Sequence, residues 1–292
     1  MVDDVTGPAG SPFMERQTVK PVKHWTLDDV PWDSFDRSKV EPDQLALAKA
    51  AAMVEYNSAD YVTYLKNVFR DDDAFIEAAE EWGLEERQHG QALGKWSALV
   101  DPGFDFETRF ADFREGFRPD VDATESIRGS RAGELVARCM VEVGTSSYYR
   151  ALGDATNEPA LKAICRFIAG DELRHYKLFY DHLKRFLEQD RIGTLRRLRL
   201  ALGRIMETED DELAYAFYAA NNQGEPYDRE RNTRAYMRRA YQYYRDPHIE
   251  KALAMIFKAC GLKPHTKLFQ ATNYGAKWLL AKRQRELAKL AA

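Results

Sequence analysis

The motif Glu-x-x-His occurs twice in this chain, as Glu86-Arg-Gln-His89 and as Glu172-Leu-Arg-His175. Residues three apart on a helix share a face, so each copy projects a carboxylate and an imidazole the same way. A single copy says little, because 23 Glu and 6 His in 292 residues give roughly half a match by chance. The relation between the copies constrains the fold far more. Glu55 lies 31 residues before Glu86, and Glu142 lies 30 before Glu172. The two motifs are 86 residues apart and the two single glutamates 87 apart. This is a weak two-fold repeat of a helix pair, with Glu on one helix and Glu-x-x-His on the next. Di-metal carboxylate bundles draw their ligands from four helices in that way.

The surrounding sequence agrees with an all-α chain. Regular alternation of β-branched residues is absent, so strand signals are weak. Helical patterning begins at Pro42–Asp43 and predicts helices over 43–69, from Asp71–Asp73 to Leu99, over 128–152 and over 158–188. Residues 100–126, with Pro102, Gly103, Gly116 and Pro119, read as a long connection. Four long helices with one crossover between the second and third make a ferritin-like four-helix bundle. Additional C-terminal helices are expected near 191–221, 229–245, 247–260 and 265–290. The prolines of the first 40 residues predict an extended N-terminal arm, pinned by Trp25 and Trp32. The expected organisation is an arm over 1–41, a diiron bundle over 42–190 and a helical C-terminal region over 191–292 that packs on the bundle.

A chain of this length buries a core without a structural metal, so a metal here serves chemistry. Glu55 in AAAMVEYNSADYV and Glu142 in ARCMVEVGTSSYY sit among apolar residues. A glutamate buried there is costly unless something pairs with it, and a metal pair supplies that partner. The candidate ligands are therefore Glu55, Glu86, His89, Glu142, Glu172 and His175. Four carboxylates balance two divalent ions, which suits a redox pair about 3.5–4 Å apart. Iron and manganese share these ligands, so two Fe ions, Mn or a mixed Mn/Fe pair all fit. Zinc more often recruits sulfur or further histidine. The competing reading is that Arg and Lys of neighbouring helices satisfy the six residues, but ion pairing gives no reason for the repeat.

Trp82-Gly-Leu-Glu85-Glu86-Arg-Gln-His89-Gly90, followed by Leu93 and Lys95, resembles the first metal motif of the soluble acyl-acyl carrier protein desaturases. Asp171-Glu172-Leu-Arg174-His175 is similar to their second motif, and Glu142-Val-Gly-Thr145 to their Glu-x-x-Thr. The resemblance covers roughly residues 45–190 and is loose around Glu55. It implies a cytoplasmic homodimer that uses dioxygen and electrons from a ferredoxin-type donor. The substrate it implies is a fatty acyl chain on acyl carrier protein, attacked at an unactivated C–H position by desaturation or hydroxylation. It also implies that Thr145 lines the oxygen site and that Asp171 supports His89. The alternatives are a ferroxidase or peroxide-scavenging protein without an organic substrate, and a helical interaction protein without activity.

Small or apolar residues one or two turns from the ligands are the candidate substrate pocket: Ser58, Ala59, Val62, Leu93, Thr145, Ser146 and Tyr149. Tyr148, Tyr149, Tyr176 and Tyr180 read first as helix packing. His182 reads as a surface residue, and His24, His248 and His265 have no ligand-like spacing. The arginines from Arg191 to Arg245 read as a solvated face, with docking of an acidic carrier protein as the sharper alternative. A net charge of -4 argues for neither nucleic acid nor a membrane surface. No stretch is apolar enough to span a bilayer, and the first ten residues are not a secretory signal. Cys139, Cys165 and Cys260 match no zinc spacing and read as buried thiols of a reducing compartment.

Overall fold

The computed structural model describes residues 24–289 except 208–210 and 223. The first ten residues and the prolines before residue 24, read above as part of the arm, lie outside the described residues. The regular structure of the described residues is α-helix with three short 3-10 turns, and no strand occurs among them.

Four helical rods surround the carboxylate–histidine residues. The first consists of α1 (Pro42–Tyr56) and α2 (Ser58–Val68); the others are α3 (Asp73–Val100), α5 (Arg131–Ala155) and α6 (Pro159–Asp190). Their starts are chemically specified. Asp72 accepts a hydrogen bond from the backbone N–H of Phe75 at 3.0 Å, and Ser130 from that of Gly133 at 3.0 Å. Glu158 caps α6 through the N–H of Leu161 at 2.7 Å, with Pro159 in the first turn. The same buried carboxylate accepts from Trp96 Nε1 of α3 at 2.7 Å and from the backbone of Asp36 at 3.1 Å. One side chain thus ties α6, α3 and the N-terminal segment together.

The expected single helix over 43–69 is interrupted at Asn57, which separates α1 from α2. The Asn57 N–H reaches the carbonyls of Val54 and Glu55, and Ser58 Oγ donates to Gly83 O of α3 at 2.8 Å. The rod is therefore broken two residues after Glu55. Glycines of α3 let it pass closely. A Cβ at Gly90 would lie 2.7 Å from the Tyr56 backbone nitrogen, and one at Gly83 would overlap Val62.

The expected connection over 100–126 contains a helix, α4 (Phe106–Gly116), whose Phe113 is fully buried. The segment near 191–221 is two helices, α7 (Thr194–Met206) and α8 (Asp211–Asn221). They are followed by α9 (Arg229–Tyr241), α10 (Asp246–Ala259) and α11 (Lys267–Lys289). Ala-rich α1 is buried between α3 and α8, so its buried residues surround the axis instead of forming a stripe. The segment from 24 to 41 is not simply extended, since it makes turns at Leu27–Asp29, Trp32–Ser34 and Arg37–Lys39. Both tryptophans hold it. Trp25 stacks on Phe167 of α6, and Lys95 Nζ of α3 sits 4.2 Å from the Trp32 ring centre.

Two apolar clusters fill the bundle. One includes Leu47, Met53, Trp96, Leu152, Ile164 and Ile168. The other includes Phe69, Phe75, Leu135, Cys139, Phe179 and Phe186. Along α3 and α6 the Glu-x-x-His motif lies between the stretches that feed these clusters. All three cysteines are free and buried, and burial pushes the Cys260 thiol up to about 11. No helix among the described residues is long and apolar enough to cross a membrane.

Candidate metal centre

Each rod brings at least one acidic side chain to the middle of the bundle. Glu55 comes from the last turn of α1, Glu86 and His89 from α3, Glu142 from α5, and Glu172 and His175 from α6. All six are at most 6% exposed. Their side chains form two overlapping groups whose facing atoms lie within 4.8 Å of one another. One group is Glu55, Glu86, His89 and Glu172; the other is Glu86, Glu142, Glu172 and His175. Glu86 and Glu172 belong to both, as carboxylates shared between two ions would.

The imidazoles point the same chemical edge inward. His89 Nδ1 lies 3.4–3.5 Å from oxygens of Glu55, Glu86 and Glu172. His175 Nδ1 lies 3.0 Å from Glu86 and 3.7–3.8 Å from Glu172 and Glu142. The opposite edges are held by carboxylates outside the cluster. His89 Nε2 is 3.0 Å from Asp171 Oδ2, and His175 Nε2 is 2.7 Å from Glu85 Oε2. A carboxylate only accepts, so each ring donates its Nε2 proton outward, and the Nδ1 edge that faces the centre is the one free to give a lone pair to a metal. Asp171 and Glu85 each precede a motif glutamate, and each holds the histidine of the other motif.

Asp171, expected to support His89, lies 3.0 Å from its Nε2. Glu85 was missed, although the repeat contained the signal: the residue before Glu172 maps onto the residue before Glu86. Around both, Arg174 donates to Asp171 Oδ1 at 2.5 Å and to Glu85 Oε2 at 3.0 Å. Trp25 Nε1 donates to Asp171 Oδ2 at 2.7 Å, and exposed His24 lies 2.8 Å from Glu85 Oε1.

Whether these residues suit a metal pair can be tested on their unmet valences. His89 Nδ1, His175 Nδ1, Glu142 Oε1 and Glu172 Oε1 are buried without a hydrogen-bond partner among the described residues. Burial pushes the carboxyls of Glu55 and Glu142 well above the usual range, and nearby carboxylates add to the effect. Burial opposes charge on both histidines too, yet the surrounding carboxylates hold both well above the ordinary imidazole range. The metal-free cluster must therefore keep protons where cations would sit. Hard oxygen donors with two imidazoles are the ligand chemistry of iron and manganese.

Thr145 Oγ1 lies 2.8 Å from Glu172 Oε2, and also 3.2 and 3.3 Å from the carbonyls of Val141 and Glu142. Its one proton can serve only one of them at a time. Tyr149, read first as packing, donates to Glu55 Oε1 at 2.5 Å. Burial and the charge of Glu55 keep this phenol protonated, so it remains a donor.

A cleft of about 330 Å³ adjoins the centre between the α1–α5 face and the C-terminal helices. Val54, Glu55 and Thr145 line it and also line a pocket of about 60 Å³ bounded by Glu86, Glu142 and Glu172. Of the expected pocket residues, Thr145 and Tyr149 line the cleft and Ser58 the smaller pocket. Ala59, Val62, Leu93 and Ser146 line neither. Ala59 is exposed, Val62 packs on Gly83, Leu93 is in the core, and Ser146 faces α6 through Ala169 O. The expectation counted turns along α2 and α3, whereas the opening lies toward helices that carry no ligand motif.

The remaining histidines have structural partners. His182 is half-buried against Phe75 and accepts from Arg185 at 2.7 Å. His248 accepts from the backbone of Arg245 and lies 3.1 Å from Asp154. Many of the C-terminal arginines are paired within the chain: Arg238 and Arg239 with Asp43, Arg229 with Asp211, and Arg231 with Glu225.

Residues 52–209 match the model of a family described as fatty acid desaturase. The chain belongs to the fatty acid desaturase family. The matched stretch contains all six clustered residues as well as Glu85, Thr145 and Asp171. No curated protein matches this desaturase-family chain.

Proposed function

We propose that this desaturase-family protein holds two iron ions in the cluster and uses dioxygen to remove hydrogen from an unactivated C–H bond of a fatty acyl chain. The observation that carries the reading is the convergence of two imidazole Nδ1 atoms and two unpartnered carboxylate oxygens in one buried space. Manganese or a mixed pair would fit the same donors. When bound, such a pair supplies the electron sink for the reaction.

The chain's own groups do the rest. Asp171 and Glu85 orient the two histidines, and Tyr149 occupies one oxygen of Glu55 so that the other faces the ions. Thr145 stands between the centre and the cleft, with a hydroxyl proton to offer to a polar atom there. The two apolar clusters on either side keep water from the centre. The adjoining cleft supports an organic substrate over a ferroxidase or peroxide-scavenging role, which needs no apolar channel.

The resemblance to acyl carrier protein desaturases supports a carrier-bound acyl substrate, a ferredoxin-type donor, a cytoplasmic location and a homodimer. In the proposed organisation of arm (1–41), bundle (42–190) and C-terminal region (191–292), the described part of the arm, residues 24–41, straps the seam of α3 and α6, the bundle holds the ions, and α9, α10 and α11 wall the substrate site.

Metal analysis and single turnover of the chemically reduced protein with dioxygen test the reading. Wild type should bind two iron ions per chain and yield a desaturated or hydroxylated acyl product. Glu142→Ala and His175→Ala should lose iron and all oxygen-dependent chemistry. Full iron and activity in both variants would overturn the ligand assignment. No product across a series of acyl chains would overturn the substrate and leave the metal centre standing.

A further inference from the structure

The cleft has a feature that the metal centre does not require. Gly144 lies inside α5, between Val143 and Thr145, and lines the cleft. A glycine within a helix costs about 0.5–1 kcal/mol relative to alanine. Close packing explains such a residue at Gly90 and Gly83, where an added Cβ would collide with α1 and α2. At Gly144 an added Cβ would meet nothing within 4 Å. The missing side chain opens space on the α5 face one residue from Thr145.

The opposite wall is built by Tyr236 and Met237 of α9, Ile249 and Ala252 of α10, and Leu280 of α11. Tyr148, two residues past the threonine's neighbour Ser146, also lines the cleft. It is 9% exposed, and its hydroxyl is buried without a partner among the described residues. A buried phenol normally finds a partner. Here it is a neutral donor left over beside an apolar space.

Size narrows the occupant. A water takes about 30 Å³ of liquid, and a methylene is similar, so the cleft accepts on the order of ten non-hydrogen atoms.

We infer that the cleft is a binding site for medium-chain acyl groups of roughly ten heavy atoms, with Gly144 as the residue that sets chain length and the Tyr148 hydroxyl as the donor to the acyl carbonyl. This rests on the proposed function and adds the class of acyl group. An acyl thioester has the matching chemistry: an apolar tail for the aliphatic walls and one neutral carbonyl acceptor for one neutral donor. The cleft ends at Glu55 and Thr145, so a chain lying in it runs next to the centre.

Isothermal titration calorimetry of the full-length, iron-loaded, oxidised protein tests this, with acyl pantetheine thioesters from hexanoyl to stearoyl as probes. Wild-type affinity should rise about tenfold or more from hexanoyl to decanoyl and then level off toward stearoyl, since tail atoms beyond the cleft stay in water and add nothing. Gly144→Leu places a side chain in the open space and should lose about tenfold or more for decanoyl while keeping hexanoyl. Gly144→Ala, which adds one methyl and favours the helix, should raise the Tm while shifting the preference to shorter chains. Tyr148→Phe should weaken decanoyl binding about fivefold, the worth of one hydrogen bond, without lowering the Tm of the free protein.

Stearoyl binding about tenfold or more tighter than decanoyl would overturn the length assignment. An unchanged chain-length profile in folded Gly144→Leu would overturn the role of Gly144, and unaltered affinity in Tyr148→Phe the role of the phenol. Iron content measured on the same samples separates these failures from failure of the metal centre. A protein that takes up no iron but keeps the chain-length profile retains the cleft and loses the diiron reading.

Discussion

Asp171→Asn and Glu85→Gln replace the two carboxylates that hold the histidines, and the structure predicts unequal and separable losses. In both variants an amide oxygen can still accept the Nε2 proton, but the negative charge that makes the imidazole a better donor is gone. Loss of such a partner costs 10–100-fold in metal affinity, or about 1.4–2.7 kcal/mol. The local partners place the two variants within that range. Asp171 Oδ2 accepts from His89 and Trp25, while Oδ1 accepts from Arg174 at 2.5 Å. An asparagine that turns its oxygen to His89 and Trp25 sets its NH2 against the Arg174 guanidinium. Asp171→Asn should therefore fall near the upper end, about 30–100-fold. Glutamine at 85 can keep its oxygen on His175 and Arg174 while its NH2 meets His24 Nδ1, which can accept. Glu85→Gln should cost about tenfold. Only one ion should feel each change strongly, because His89 and His175 belong to different groups of four. Competitive titration with a chelator, followed by anomalous-scattering occupancies, reads both the loss and the ion concerned. Equal loss of both ions in each variant, or loss in neither, would refute the reasoning.

Gly90→Ala adds a methyl 2.7 Å from the Tyr56 backbone nitrogen, next to Glu55 and Glu86. It should lower denaturant stability by about 1–3 kcal/mol and reduce iron content with it; unchanged stability would contradict the close approach of α1 to α3. The pH dependence of the metal-free protein follows from the histidines. Their folded values are raised well above 6.5, so their contribution is full below the unfolded value and is lost as pH rises through the folded value. The Tm of metal-free protein should therefore fall from neutral toward alkaline pH while that of the iron-loaded protein holds. A metal-free Tm that rises over this range would refute the protonated cluster.

The six clustered residues were legible because the helical period fixes which side chains share a face, and the repeat fixed which helices face one another. The same repeat implied Glu85 by its match to Asp171, yet only a pairing between motifs reveals that each acid serves the other motif's histidine. The Asn57 break was not legible. Residues 43–69 carry no proline or glycine, and the break comes from contacts with Gly83 and Gly90 on another helix. Nor was the cleft, since its outer wall comes from C-terminal helices that carry no chemical motif. The arginines read as a possible docking face because charge is visible in sequence and pairing is not: Arg238 meets Asp43 across 195 positions. Tyr149 shows the same limit, as its spacing fits packing equally well and only the fold brings it to Glu55.

The cluster is a cost that the rest of the bundle carries. Burying a carboxylate without a partner is unfavourable, and Glu142 keeps an unpartnered oxygen in the metal-free protein. Each well-buried Leu or Phe of the flanking clusters contributes about 1.5–3 kcal/mol, and the helix caps lie away from the centre. The fold should thus form without ions, and replacing a ligand carboxyl by a neutral amide should relieve it. Glu142→Gln keeps the shape and is neutral without taking up a proton, so at neutral pH it should raise the Tm of metal-free protein while it lowers iron affinity. Differential scanning calorimetry on stripped and iron-loaded samples separates the two effects. A Gln variant that loses Tm in the metal-free state would mean that the carboxylate supports the fold, and the centre could no longer be read as a site for which the bundle gives up stability.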